Sequence, residues 1–160
     1  MNIESKQPLE IFIKGNSNLI IMVHGFMGSP YNFHFMMHYF KQKGYSIWIP
    51  LLLEHNNVEN INNTLPFEWY EDLKIRITEH LKQNIYQNVH LIGLSMGGSF
   101  CLKMSVELNF PNIKTLSLLA TPYQLKFFQK ISLHLFGYSI LKTIYPYKKR
   151  KESDIKNEIQ

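Results

Sequence analysis

The chain has 160 residues, of which 45% are hydrophobic and only 18% charged, and this composition predicts a globular protein with a buried core rather than a disordered one. The net charge is +5 at pH 7, and four consecutive basic residues, 148–151, lie near acidic residues at the carboxyl end. That arrangement favours a solvated helix face over a nucleic-acid site. No apolar run is long enough to span a membrane, the first eight residues lack an export signal, and the single cysteine, Cys101, fits a reducing compartment. We therefore expect a cytoplasmic protein with no nucleic-acid partner and no transmembrane segment.

Two strands are predicted near the amino end. Residues 9–13 alternate weakly and indicate an edge strand, whereas residues 19–23 are all apolar, as in a strand covered on both faces of a parallel sheet. The glycines that follow, Gly25 and Gly28, allow a sharp turn at the carboxyl end of this strand, where open α/β sheets place their ligands.

A helix is predicted over residues 31–43, with Ser29 as its cap, Pro30 at its first position and Gly44 at its end. His34 and His38 lie four residues apart, which is zinc-ligand spacing, but Phe35 stands where the usual glutamate would be. We interpret them as two surface histidines and predict no metal site.

Residues 45–50 form the next predicted strand, and the polar residues 54–64 are predicted to be a surface loop. His55 in this loop could face the site, although an exposed loop histidine is the interpretation we favour. Apolar residues at helical spacing then predict an amphipathic helix that ends near Gln83. Within it, Trp69 is interpreted as a core anchor rather than a substrate platform.

The most informative stretch is Gly93-Leu94-Ser95-Met96-Gly97-Gly98, which follows a predicted strand and opens a predicted helix. A Gly-x-Ser-x-Gly turn in that context places the serine at the apex of a tight elbow, with its hydroxyl above the sheet. The glycines give the clearance that the closely approaching backbones need. The alternative is a serine in an ordinary glycine-rich turn.

The predicted helix after Ser95 ends before Pro111, and residues 113–120 are predicted to form another strand. A further helix over residues 127–138 could face either an acyl-binding crevice or the sheet. Residues 147–160 are predicted to be a charged helix or a frayed tail. Strands and helices alternate throughout, which predicts an α/β protein.

Together, residues 24–28 and 93–98 resemble the α/β-hydrolase fold, in particular the small bacterial carboxylesterases and monoacylglycerol lipases grouped with serine aminopeptidase-like hydrolases. The resemblance implies a mainly parallel sheet with helices on both faces, lacking the last strands. It also implies that residues 1–146 are the amino-terminal part of the hydrolase domain and that residues 147–160 begin a cap helix or a charged tail.

The resemblance further implies that Ser95 is a nucleophile acting on small acyl esters, without a cofactor or a metal. Its oxyanion hole would be formed by the backbone N–H groups of Phe26 and Met96. The residues expected to shape the elbow and the neighbouring loop are His24, Gly25, Gly93, Gly97 and Gly98. His24 would be structural rather than catalytic.

Two departures from the family pattern stand out. Glu54-His55-Asn56 replaces the common Gly-His-Gly, which affects the shape of that loop. After Ser95 the only histidine is His134, and the only acid between them, Glu107, lies roughly 18 Å along the helix at about 1.5 Å per residue. The triad acid and histidine are therefore expected to come from a missing carboxyl-terminal segment or from a second chain. The alternative is a non-catalytic remnant or acyl-ligand-binding module.

Overall fold

The structure, a computed structural model, describes residues 9–56, 61 and 63–122. In this part of the chain five strands form one sheet in the order β1-β3-β2-β4-β5. The strands are β1 (Ile11–Ile13), β2 (Asn18–Val23), β3 (Ser46–Ile49), β4 (Asn88–Leu94) and β5 (Ile113–Leu119), and the helices are α1 (His34–Gln42), α2 (Pro66–Lys82) and α3 (Met96–Glu107). Strand β1 pairs antiparallel with β3, and the other pairs are parallel. The predicted α/β fold with a mainly parallel sheet is confirmed.

Helices lie on both faces of the sheet. Ile20, Ile47 and Ile92 belong to a buried cluster on one face, against which Met36 and Phe40 of α1 pack. Side chains alternate along a strand, so Trp48 lies on the opposite face, where its ring contacts that of His80 on α2 at 4.8 Å. Helix α3 lies beside α2, since the rings of Tyr70 and Phe100 are 5.5 Å apart.

The central strand β2 is buried along almost its whole length, as its uninterrupted apolar sequence predicts. A 3-10 turn, Pro30–Phe33, precedes α1, with Ser29 at its N-cap and Pro30 at the first position. Asn32 Oδ1 accepts a hydrogen bond from the Ser29 amide at 2.8 Å and so closes the turn. Three aromatic side chains in the segment predicted as a helix, residues 31–43, are exposed: Tyr31, Phe35 and Tyr39.

Strand β5 is the outer strand of the described sheet next to β4, and most of its residues are exposed or half-exposed. Strand β5 is not apolar on both faces as β2 is, because β5 contains Lys114, Thr115 and Ser117. The predicted helix over 127–138, His134, the boundary at residue 146 and the tail 147–160 lie outside the described residues. None of the helices within the described ranges is long and apolar enough to cross a membrane.

Glycines set the distance between α3 and the strands beneath it. A Cβ atom placed on Gly97 would lie 2.2 Å from the carbonyl oxygen of Val23, and one on Gly98 would lie 1.8 Å from Thr121 Oγ1. A Cβ on Gly93 would lie 2.4 Å from the Cα of Gly98, across the elbow. The elbow arms therefore meet at Gly93, while Gly97 lies against the end of β2 and Gly98 lies against Thr121, two residues after the end of β5.

These contacts predict different costs for two neighbouring substitutions. We expect Gly97→Ala to destabilise the protein by about 3 kcal/mol, because its methyl group meets the fixed backbone of β2. The three atoms nearest to the methyl group of Gly98→Ala all belong to the side chain of Thr121, so Thr121→Gly in the same chain should remove most of its cost in stability. Urea unfolding of the single and double variants measures both effects.

The control is Gly97→Ala combined with Thr121→Gly, which should keep the full cost of the Gly97 substitution. Equal rescue of both alanine variants by Thr121→Gly would contradict this packing.

Candidate functional site

Ser95 lies at the apex of the turn between β4 and α3, with an exposed side chain. Its backbone has φ 52° and ψ −119°, a strained conformation for a residue with a side chain. The strain is held by neighbouring hydrogen bonds: the Ser95 amide donates to Leu119 O at 2.8 Å, and Ser95 O accepts from the Gly98 amide at 3.0 Å. These hydrogen bonds fix the backbone of Ser95, and its hydroxyl therefore lies at the edge of the sheet where the parallel strands end.

Backbone strain is concentrated at this same edge of the sheet. Among the described residues, five non-glycine residues have positive φ, and four of them follow the ends of strands β2, β3, β4 and β5: Met27, Glu54, Ser95 and Ala120. Strained residues of this kind persist only where the surrounding structure holds them in place, and they cluster at functional sites. The sequence indicates a strained backbone only at Ser95, through its Gly-x-Ser-x-Gly turn, and gives no signal for positive φ at the other three residues.

The loop after β2 lies directly against Ser95. A Cβ atom on Gly25 would be 3.2 Å from Ser95 Cβ and 3.7 Å from its Oγ. Only a small residue fits comfortably there, and Phe26 is the next residue along the chain. At the other side of the serine, Met96 begins α3, where first-turn amides have no acceptor within the helix.

The ring of His24 is fully buried and connects two loops at this edge. Its Nε2 accepts a hydrogen bond from the Leu52 amide at 3.1 Å, so the proton resides on Nδ1, which lies 3.0 Å from Gly25 O. Burial lowers the pKa of His24 to about 4, so the ring is neutral at physiological pH. Both ring nitrogens are thus engaged by the backbone of the loops after β2 and β3.

The expectation of an exposed His55 is wrong. Its side chain is only 6% exposed, and its ring contacts those of Trp69 at 4.7 Å, His24 at 5.3 Å and Phe26 at 6.5 Å. Burial also lowers the pKa of His55. The polar sequence around His55 did not indicate this burial, because the partners of His55 come from α2 and from the loop after β2.

The predicted surface loop is also buried at Ile61, and residues 57–60 and 62 lie outside the described residues.

Trp69 is fully buried, as expected of a core anchor. Its indole Nε1 donates to Thr64 Oγ1 at 2.7 Å, and its ring stacks on that of Phe26 with centroids 5.8 Å apart. Phe26 itself remains 38% exposed. One face of the Phe26 ring therefore packs against Trp69 of α2, while the ring remains partly exposed.

Glu107 is committed to another set of contacts at the far end of α3. Its Oε2 accepts hydrogen bonds from Lys74 Nζ at 2.5 Å and from the Tyr70 hydroxyl at 2.7 Å. The hydrogen bond from Lys74, together with that from Tyr70, lowers the pKa of Glu107 to about 2. This carboxylate ties α3 to α2 and does not approach Ser95. His134 lies outside the described residues.

No metal-binding cluster of three or more suitable side chains occurs within the described residues. The rings of His34 and His38 pack edge to face at 4.5 Å on α1, where His38 is exposed and His34 half-exposed. Cys101 is buried, and burial raises the pKa of its thiol to about 12, so this cysteine does not supply a thiolate.

Comparison with known proteins yields relatives by sequence. A carboxylesterase of Bacillus subtilis is 29% identical over 98 residues, which are 61% of this chain and 39% of that enzyme. A thermostable monoacylglycerol lipase of Bacillus sp. strain H-257 is 29% identical over 87 residues, which are 54% of this chain and 34% of that enzyme. The chain thus spans less than half the length of either relative.

Among solved structures, one of the metagenome-derived lipolytic enzymes LipS and LipT superposes with a TM-score of 0.69 at 19% identity, covering 80% of this chain and 51% of the other. This likeness shows a shared fold. In addition, residues 18–138 match the family described as the alpha/beta hydrolase fold. The matched region contains both the loop after β2 and the Ser95 elbow, and the chain therefore belongs to the alpha/beta hydrolase fold family.

Proposed function

We propose that this chain carries the nucleophile and the oxyanion-binding half of a carboxylic-ester hydrolase of the carboxylesterase or monoacylglycerol lipase type. Ser95 would attack the ester carbonyl and become acylated. The observation that carries the proposal is the exposed, strained Ser95 at an elbow whose apex lies against Gly25. Two bacterial relatives named as a carboxylesterase and a monoacylglycerol lipase point to the same bond type.

The oxyanion of the tetrahedral intermediate would be bound by the backbone amides of Phe26 and Met96. Support comes from the positions of these two residues. Phe26 follows Gly25, which lies against Ser95, and Met96 begins the helix whose positive end points toward Ser95. Donors placed at developing charge are worth roughly 2.7–4 kcal/mol each, because they stabilise the transition state more than the ground state. The substrate would be a small acyl ester, and no cofactor enters this chemistry.

The proton-transfer partners of Ser95 would come from outside the described residues. Glu107 is held in an ion-pair cluster at the other end of α3, and His24 uses both ring nitrogens for backbone contacts. Neither can serve as the acid or the base of a triad. We propose that a further segment or a second chain supplies them, which leaves Ser95 unactivated in these 160 residues.

This proposal predicts slow acylation that depends on Ser95. The 160-residue chain should react with a fluorophosphonate probe and a short p-nitrophenyl ester several orders of magnitude more slowly than a complete triad enzyme, as happens when triad members are removed. Ser95→Ala should abolish the residual reaction. Labelling followed by mass spectrometry, together with p-nitrophenolate release, measures both.

Ser99→Ala, one turn further along α3, is the matched control and should leave the rate unchanged. Labelling that persists in Ser95→Ala would contradict the assignment of the nucleophile. Turnover at the rate of a complete triad enzyme would show instead that the chain supplies its own base.

A further inference from the structure

The loop that carries Phe26 is supported by a group of four rings, which we name the aromatic cluster: His24, Phe26, His55 and Trp69. His55 is the member that contacts all of the others. Its ring is nearly perpendicular to those of Trp69 and Phe26, at interplanar angles of 84° and 83°, which is the edge-to-face geometry favoured by aromatic pairs. His55 therefore lies where the loops after β2 and β3 meet the start of α2.

The position of His55 is itself fixed by backbone contacts. Its Nδ1 lies 2.9 Å from Leu53 O, which places the proton on Nδ1, and its amide donates to Leu52 O at 3.0 Å. Arg76 Nη2 donates to Leu51 O at 2.8 Å and holds the same segment to α2. The ring thus projects from a rigid support toward Phe26.

A histidine at this position costs stability that an apolar ring would not. Its Nε2 is buried and has no hydrogen-bond partner among the described residues. A buried acceptor left without a hydrogen bond destabilises the folded protein. The hydrogen bond from Nδ1 to Leu53 O, which phenylalanine could not make, sets the angle at which the ring meets Phe26 and Trp69.

We propose that His55 is a positioning residue: its ring, oriented by Leu53 and Trp69, holds the Phe26 side chain and thereby sets the place of the Phe26 backbone amide beside Ser95. The inference rests on the proposed function for the role of that amide. It adds a residue that touches neither substrate nor Ser95 and acts through the aromatic cluster.

The test compares His55 with a second histidine, the half-buried His80, on the 160-residue chain. His80 also packs among aromatic rings, those of Trp48, Tyr86 and Phe12, and its Nε2 is also buried without a partner among the described residues, but it lies at the opposite end of α2 from Trp69. His55→Ala and His80→Ala therefore each remove an imidazole with a buried Nε2 from among aromatic rings, although His55 is buried and His80 only half-buried. His55→Phe keeps a ring at the site but loses the hydrogen bond to Leu53 O.

Two readouts separate positioning from stability. We expect both alanine variants to lower the free energy of unfolding, but only His55→Ala to shift the Phe26 backbone amide resonance and to slow fluorophosphonate labelling of Ser95 by about tenfold or more, as expected when an oxyanion donor is displaced. His55→Phe should remain folded, with an amide shift and a labelling rate between those of the wild type and His55→Ala.

The inference would be overturned if His55→Phe and His55→Ala both left the Phe26 amide resonance in place, or if His80→Ala displaced it equally. If wild-type labelling proved independent of Ser95, the proposed function would fail, whereas the amide resonance would still report whether His55 positions the loop. If His55→Ala did not fold, His55→Phe alone would decide, because an unshifted Phe26 amide in that variant contradicts the role of the Leu53 hydrogen bond.

Discussion

The site depends on the close approach of α3 to the end of β2. At Gly97 the helix lies so near the carbonyl oxygens of Val23 and His24 that no side chain fits between them. This approach brings the elbow close to the loop after β2, where a Cβ atom placed on Gly25 would lie 3.2 Å from Ser95 Cβ. A bulkier residue at position 97 would separate the serine from Phe26, and the amides proposed to bind the oxyanion would no longer face one atom.

The carboxyl edge of the sheet combines strain with neutral polar groups. Met27, Glu54, Ser95 and Ala120 all have positive φ, and the fold must hold each of them in place. Buried His24 holds two loops together as a neutral ring because desolvation disfavours its charged form. The acidic group nearest in sequence after the elbow, Glu107, is used to join α3 to α2. In the proposed function, the described residues would provide the nucleophile and the dipoles, while proton transfer would require further groups.

Local sequence patterns predicted the parts of the fold that depend on local physics. The apolar run of β2 indicated a buried central strand, and the glycines around Ser95 indicated a strand-to-helix elbow, because each signal arises from contiguous residues. His55 could not be placed in this way. Its burial depends on Trp69, fourteen positions away, and on Phe26 in another loop. The contact between Gly98 and Thr121 is likewise long-range, so only the assembled sheet reveals which side of each glycine is crowded.

In the proposed site, the Ser95 hydroxyl and the backbone amides of Phe26 and Met96 converge on one point. A crystal structure of the chain with a phosphonate attached covalently to Ser95 tests this directly. We expect the phosphonyl oxygen to lie about 2.7–3.1 Å from both amide nitrogens, the range required of an oxyanion hole. A phosphonyl oxygen directed away from both amides, or a Ser95 side chain that could not carry the adduct without movement of Gly25, would contradict the proposed oxyanion hole.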